Sequence, residues 1–108
     1  MPKYLSLFKY SAEGTKGFLK EKAAAREAAS RKAFESVGGK VEMFYWGATG
    51  EYTGITIAEL PDAATAAALM ALVSSTGAFS EFRSIELLSA SEMDRALGKS
   101  MTFRPPGA

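Results

Sequence analysis

Apolar residues recur along the chain at two different periods, and the change of period predicts the order of its strands and helices. In Lys3–Tyr10 they alternate, with Leu5 and Leu7 on one side and aromatic rings on the other, which predicts a first β-strand. Residues 41–59 alternate in the same way around a Gly-containing turn and predict a β-hairpin. Residues 79–88 predict a fourth strand.

The first strand of the hairpin is apolar on both faces. Strict alternation places Val41, Met43 and Tyr45 on one face and Phe44 and Trp46 on the other. The second strand of the hairpin alternates isoleucines with small or polar residues. A sheet built from such strands has two faces to bury.

The chain between the first strand and the hairpin has the period of an amphipathic helix. We expect one long helix from Thr15, a suitable N-cap, to about Val37, where Gly38-Gly39 ends it. Arg26 differs from the other charges of this helix, which we expect on a solvated face, because it falls on the apolar stripe. The stripe consists of Leu19, Ala23, Ser30, Ala33, Phe34 and Val37, with Phe18 at its edge.

Two further helices are predicted from their capping signals. Asp62 is positioned to cap an Ala-rich helix that ends near Gly77. Residues 91–94, Ser-Glu-Met-Asp, resemble a capping box and begin a short helix that ends at Gly98. Beyond it we expect an extended tail.

The order of these elements, β-α-β-β-α-β, predicts a ferredoxin-like α+β fold, in which a four-stranded antiparallel sheet carries both main helices on one face. The second face of this sheet is apolar too. Leaving it in water would expose a larger apolar patch than monomers usually carry. We therefore expect a homodimer or higher oligomer, with two sheets packed face to face in a dimeric α+β barrel.

Composition narrows the possible functions. With 108 residues we expect a single domain over 1–108, its short C-terminal helix and tail covering about 91–108. The net charge of +1 provides no bulk attraction for nucleic acid or an anionic membrane, and neither partner is expected. The chain has no Cys and no His, so we expect no metal, haem or other cofactor. No signal peptide or membrane span is evident, which favours a cytoplasmic protein.

Several short motifs together resemble the GYD-domain family of small bacterial proteins. They are Arg26 within Ala25-Arg26-Glu27-Ala28, then Gly38-Gly39, Phe44-Tyr45-Trp46, Gly50-Glu51-Tyr52 and Glu59-Leu60-Pro61-Asp62. The resemblance extends from the first strand to the fourth and implies a ferredoxin-like dimeric barrel, which agrees with the element order. It implies no established biochemical role.

The sequence departs from the family pattern at Thr53, where that pattern has an aspartate. A proton-transfer or cation-binding role of the aspartate is therefore not expected here. A structural role stays open, because a threonine hydroxyl also hydrogen-bonds nearby backbone groups.

Two interpretations of the site residues remain open. In the first, Arg26, Tyr45, Trp46, Tyr52 and Glu59 line a pocket between sheet and helices. A guanidinium can clamp a carboxylate or phosphate, and aromatic walls suit a small planar ligand. In the second, Arg26 and Glu59 form a buried ion pair and the aromatic rings fill the core.

These residues support binding better than catalytic turnover, so we expect a small oligomeric binding or interaction module. The alternative is a cofactor-free monooxygenase of the dimeric-barrel type. Such an enzyme would hold an activated substrate on Trp46 and Tyr52, with Glu59 as a base if burial raises its pKa.

Overall fold

The computed structural model describes all 108 residues as one antiparallel sheet with helices. The four strands lie in the order β2-β3-β1-β4, which confirms the predicted ferredoxin-like α+β fold. The elements in chain order are β1 Lys3–Tyr10, α1 Ala12–Glu21, α2 Ala23–Ser36, β2 Lys40–Trp46, β3 Gly54–Glu59, α3 Ala63–Ser75, β4 Phe79–Leu87 and α4 Ala90–Leu97.

The core lies between the sheet and the helices α1 and α2, which add Phe18 and Phe34, and α3 lies on the same side of the sheet. The centre of the core is Phe8, whose ring meets the rings of Tyr10, Phe44, Trp46 and Phe79 with centroids 5.5 to 6.1 Å apart. These separations and mostly edge-to-face angles are favourable for aromatic pairs. The aromatic side chains of the strands therefore fill the core on the helix side.

The prediction of one long helix was wrong, because the chain breaks at Lys22 into α1 and α2. The first helix also starts earlier than predicted, with the Ser11 hydroxyl accepting a hydrogen bond from the Gly14 backbone N–H at 3.1 Å. The break changes the phase of the apolar stripe. As a result, Phe18 packs on the core while Leu19 is exposed.

The predicted alternation along β2 fails at a β-bulge. Val41 lies opposite Ala58 and Met43 opposite Ile57, so the register shifts by one residue between Val41 and Met43. Val41 therefore joins the buried core on the helix side instead of the face that carries Met43 and Tyr45.

The later helix caps follow the sequence closely. Asp62 caps α3 as predicted, with Oδ1 accepting a hydrogen bond from the Thr65 N–H at 2.8 Å. The capping box of α4 lies two residues before the predicted one. It joins Ser89 and Glu92, each side chain accepting a hydrogen bond from the backbone N–H of the other, at 3.2 and 2.9 Å.

The side of the sheet away from the helices, here called the open sheet face, is apolar and uncovered. This confirms that the strands carry apolar residues on both faces. Tyr45 and Ile85 on this face are 64% and 57% exposed. The apolar residues of the face are Leu5, Leu7, Met43, Tyr45, Ile55, Ile57, Ile85 and Leu87. None of the helices combines the length and the apolar composition that a membrane span requires.

Candidate functional site

A cleft on the helix side, here called the Arg26 cleft, encloses about 280 Å³. It lies between α1, the start of α2 and the turn from α3 into β4. Its lining residues are Tyr10, Glu13, Gly14, Gly17, Phe18, Glu21, Arg26, Thr76 and Ala78. This volume is near the lower end of the range for small-molecule sites, roughly 300 to 1,000 Å³.

Hydrogen bonds hold α1 against the turn that closes the cleft. The Ser11 backbone N–H donates to the Ala78 carbonyl at 2.8 Å, and its hydroxyl donates to the Gly77 carbonyl at 2.7 Å. Gly14 lies so close to the turn that a Cβ at this position would overlap the Ala78 carbonyl oxygen. Glycine is therefore required at position 14 for the cleft to have this shape.

Arg26 is the only cation among the lining residues, and 31% of its side chain is exposed. Interaction with the Tyr10 side chain is the main cause that raises the pKa of Arg26 above its ordinary value. The nearest carboxylate oxygen, Glu21 Oε2, is 3.6 Å from Arg26 Nη1, which is longer than a hydrogen bond. The guanidinium is therefore charged and able to donate to a ligand.

The acidic residues of the cleft limit which ligands suit it. Glu21 lies beside Arg26, and Glu13 pairs with Lys16 at the rim at 3.3 Å. An acidic ligand would meet two carboxylates together with one guanidinium, so its net electrostatic attraction is small. No group of three or more potential metal ligands occurs in the structure. The cleft thus offers hydrogen bonds and an aromatic floor.

The backbone is strained beside the cleft. Lys22 has φ 76° and ψ 170°, a conformation that is essentially restricted to glycine. This residue joins α1 to α2 and lies between Glu21 and Arg26 in the chain. The change of chain direction at Lys22 brings the side chains of Glu21 and Arg26 to the Arg26 cleft.

The five residues predicted to line one pocket are divided between the two faces of the sheet. Arg26 and Trp46 lie on the helix side, where the Trp46 ring stacks on Phe18 at 4.7 Å with an interplanar angle of 16°. The other three, Tyr45, Tyr52 and Glu59, lie on the side of the open sheet face.

The ion pair between Arg26 and Glu59, part of the second interpretation, is not formed. The acidic neighbour of Arg26 is Glu21. Glu59 lies across the strands from Lys3 and Lys40, at one end of the open sheet face. The sheet itself separates the two side chains.

Polar clusters lie at both ends of the open sheet face. At the hairpin end, interaction between Tyr52 and Glu81 raises the pKa of Tyr52 and lowers that of Glu81, and Arg83 pairs with Glu81 at 3.2 Å. At the other end, Lys3 pairs with Glu42 at 3.0 Å. Each cluster contains both signs of charge.

Thr53 has the structural role that the sequence left open. Its hydroxyl accepts a hydrogen bond from the Tyr10 backbone N–H at 3.0 Å, and its own N–H donates to the Phe8 carbonyl at 2.7 Å. The register between β1 and β4 shifts between Lys9 and Tyr10, close to this contact. Thr53 therefore joins the hairpin to the end of β1 by hydrogen bonds, and the side chain of Tyr10 interacts in turn with Arg26.

Sequence reasoning identified Arg26 but missed Tyr10, Phe18 and Glu21 as its companions. One signal was available, because α1 contains Gly14, and a glycine inside a helix often marks close packing. No local signal marks the break that brings Glu21 to the cleft.

The strand order, with α1 to α3 on one side, defines a small ferredoxin-like α+β protein. The family model described as GYD domain matches residues 4–97 of the 108. The chain therefore belongs to the GYD-domain family, which confirms the resemblance noted from its motifs. A comparison with curated proteins gives no match.

Proposed function

We propose that this protein is a homodimeric binding module in which the open sheet faces of two copies pack together. The observation that carries the proposal is the uncovered apolar face. Its strands contain 6 to 9 residues each. At a strand spacing of about 4.8 Å and a rise of about 3.3 Å per residue, the face measures on the order of 450 Å².

The whole face, charged ends included, is therefore within the range of the largest apolar patch of a monomer, about 300 to 600 Å², and not above it as expected from the sequence; patches of this size are often functional. It also lies on a sheet, a flat surface that fits a second flat sheet at a separation of roughly 10 Å. Burying this surface supports dimerisation through the hydrophobic effect.

The charges around the face support a second copy as the occupant. Both ends carry acidic and basic groups, Lys3 with Glu42 at one end and Glu81 with Arg83 at the other. A two-fold axis brings identical surfaces together, so an end of a single sign would repel its copy. Because each end carries both signs of charge, two copies avoid this repulsion whichever ends of the two faces meet.

The test is the mass of the full chain in solution, measured by light scattering and analytical ultracentrifugation at micromolar concentration. We expect a dimer for the wild type and a monomer for Ile57→Lys, which places a charge at the centre of the face. The matched control is Leu19→Lys, exposed on the helix side. Circular dichroism checks folding, and Ile85→Lys, at a more exposed position, replaces Ile57→Lys if that variant does not fold. A monomeric wild type contradicts the proposal.

We further propose that the Arg26 cleft binds a small planar ligand that accepts hydrogen bonds from the guanidinium. Tyr10 and Phe18 supply flat apolar surfaces, with ring centroids 5.5 Å apart. Because Glu13 and Glu21 also line the cleft, a neutral aromatic amide suits it better than an aromatic acid.

The test is thermal stabilisation by nicotinamide and by benzoate. Ligand at 100 times its Kd adds about 2.7 kcal/mol to the unfolding free energy. We expect a shift with nicotinamide that Arg26→Ala abolishes and that Lys20→Ala, on the exposed part of α1, retains. A larger shift with benzoate would indicate an acid site. An unchanged shift in Arg26→Ala would exclude the guanidinium as the binding group.

The geometry favours binding over the monooxygenase alternative. That alternative relied on Trp46 and Tyr52 acting on one substrate. The Trp46 ring belongs to the helix-side core, whereas Tyr52 borders the open sheet face. A protomer therefore does not bring the two rings to one site.

A further inference from the structure

Residues 88–108, here called the C-terminal arm, extend from the body of the protein. The arm begins with a well-formed amphipathic helix, α4, whose capping box is complete. Every residue of α4 is exposed, with Leu97 at 74%. Ala90, Met93 and Leu97 form an apolar stripe along it at intervals of three and four.

An isolated helix of this length is marginal in water, because helices shorter than about 12 residues gain little without packing. The segment after α4 also carries exposed apolar side chains, with Met101 at 80% and Phe103 at 70%. The family model extends to Leu97, the last residue of α4, so this helix belongs to the matched domain. The arm thus has an apolar surface that is largely exposed in its own protomer.

We propose that the C-terminal arm packs on a second copy of this chain and extends the interface formed by the open sheet faces. The inference rests on the proposed homodimer. The first argument for packing of the arm on a second copy is that the arm is continuous with the open sheet face. Leu87 lies on the open sheet face, and only Leu88 and Ser89 separate it from α4. A cavity of about 430 Å³ lined by residues that include Lys3, Glu59, Leu87 and Glu92 joins the arm to that end of the face.

Interface area is the second argument. Stable complexes usually bury roughly 600 to 1,000 Å² per partner, and the open sheet face supplies only on the order of 450 Å². From helix and strand dimensions, α4 and the segment through Phe103 add on the order of 200 Å². The face and the arm together reach the usual range, whereas the face alone does not.

The charges of α4 argue against a membrane surface as the occupant. Its charged residues are Glu92, Asp94 and Arg95, which sum to one negative charge, and the side chains of the whole arm, with Lys99 and Arg104, sum to only one positive charge. Helices that lie on membranes are usually rich in Lys and Arg and are longer. A protein surface with an adjacent apolar face, such as the second copy, fits the stripe better.

The test compares the dimer dissociation constants of full-length variants by analytical ultracentrifugation. The double variant Met93→Glu/Leu97→Glu charges the stripe at positions outside the core, so the near-UV circular dichroism of the aromatic core should be unchanged. We expect its dissociation constant to rise at least tenfold. The matched control Leu19→Glu, on the helix side, should stay within twofold of the wild type. A double variant that also stays within twofold overturns the inference.

A second measurement uses the absence of cysteine in the chain. A spin label on Leu97→Cys should be mobile in the monomer at high dilution and immobilised in the dimer. A label that stays mobile in a proven dimer overturns the arm contact and leaves the homodimer intact. A wild-type chain that is monomeric at every concentration overturns both proposals.

Discussion

Replacing Thr53 with valine removes one hydroxyl at the junction between the hairpin and β1 and keeps the shape of the side chain. The lost oxygen is the acceptor for the Tyr10 backbone N–H, at 3.0 Å. The bond is partly buried between β1 and the hairpin, so water replaces the lost hydroxyl only in part. Leaving a buried donor without a partner costs about 1 to 3 kcal/mol. For a domain near 100 residues this lowers Tm by roughly 5 to 20 °C.

The assay is urea and thermal unfolding of wild type and Thr53→Val followed by circular dichroism. All proteins must be at the same concentration, since the proposed dimerisation would make Tm depend on it. The control Thr53→Ser keeps the acceptor and should lose much less stability. The reasoning is refuted if Thr53→Val is within about 0.5 kcal/mol of wild type, the size of an ordinary surface effect, or if Thr53→Ser is equally destabilised.

A third variant, Thr53→Asp, supplies the carboxylate of the family pattern. A carboxylate that accepts the Tyr10 N–H has a lower pKa folded than unfolded. Its stabilisation is therefore present above the unfolded pKa, about 3.9, and is lost as pH falls through the folded value. We expect the stability difference between Thr53→Asp and wild type to change in this direction between pH 7 and pH 3. A difference independent of pH would show that the carboxylate does not reach the Tyr10 N–H.

Three further predictions concern single positions. Lys22→Gly should relieve a backbone strain of about 1 to 3 kcal/mol, and the added flexibility of the unfolded chain should cost about 0.4 to 1 kcal/mol in return. The urea midpoint of unfolding should therefore rise in Lys22→Gly and should not rise in Lys22→Ala. Gly14→Ala should lower the free energy of unfolding by roughly 1 to 3 kcal/mol, because the added Cβ overlaps the turn. Gly17→Ala, with open space around the added Cβ, should stabilise α1. The opposite order of stabilities would contradict the close approach of Gly14 to the turn. Hydrogen bonds from Thr65 lower the pKa of Asp62, so Asp62→Ala should destabilise α3 at pH 7, and the deficit should shrink below about pH 3.9, where the cap is protonated in the unfolded chain. A deficit that is constant from pH 7 to pH 2, measured by urea unfolding, would argue against this cap.

Much of the fold could be predicted because its determinants are local. The alternation in residues 3–10 and 79–88, the cap at Asp62 and the left-handed glycine at Gly77 each act within a few residues. Their order along the chain was sufficient for the ferredoxin-like arrangement. The same alternation indicated a second apolar face.

Part of the site prediction conflicted with the strand pattern itself. Tyr45 and Trp46 are adjacent in β2, and adjacent residues of a strand point to opposite faces. They could not both line a pocket on one side of the sheet. Applied consistently, the alternation alone assigns these two side chains to different sites.

The sequence alone determined the family, the element order and the two apolar faces of the sheet, since these depend on periodicity and on motifs that are local in the chain. Only the tertiary structure decided where that periodicity is reset, at the break of Lys22 and at the bulge after Val41. Neither position contains the Gly or Pro that usually marks an interruption. Such resets depend on how each segment packs against the rest of the protein. The break at Lys22 is the reason that Arg26 lies beside Glu21 and Tyr10, whereas the position of Glu59 on the other face of the sheet follows from the regular alternation of β3.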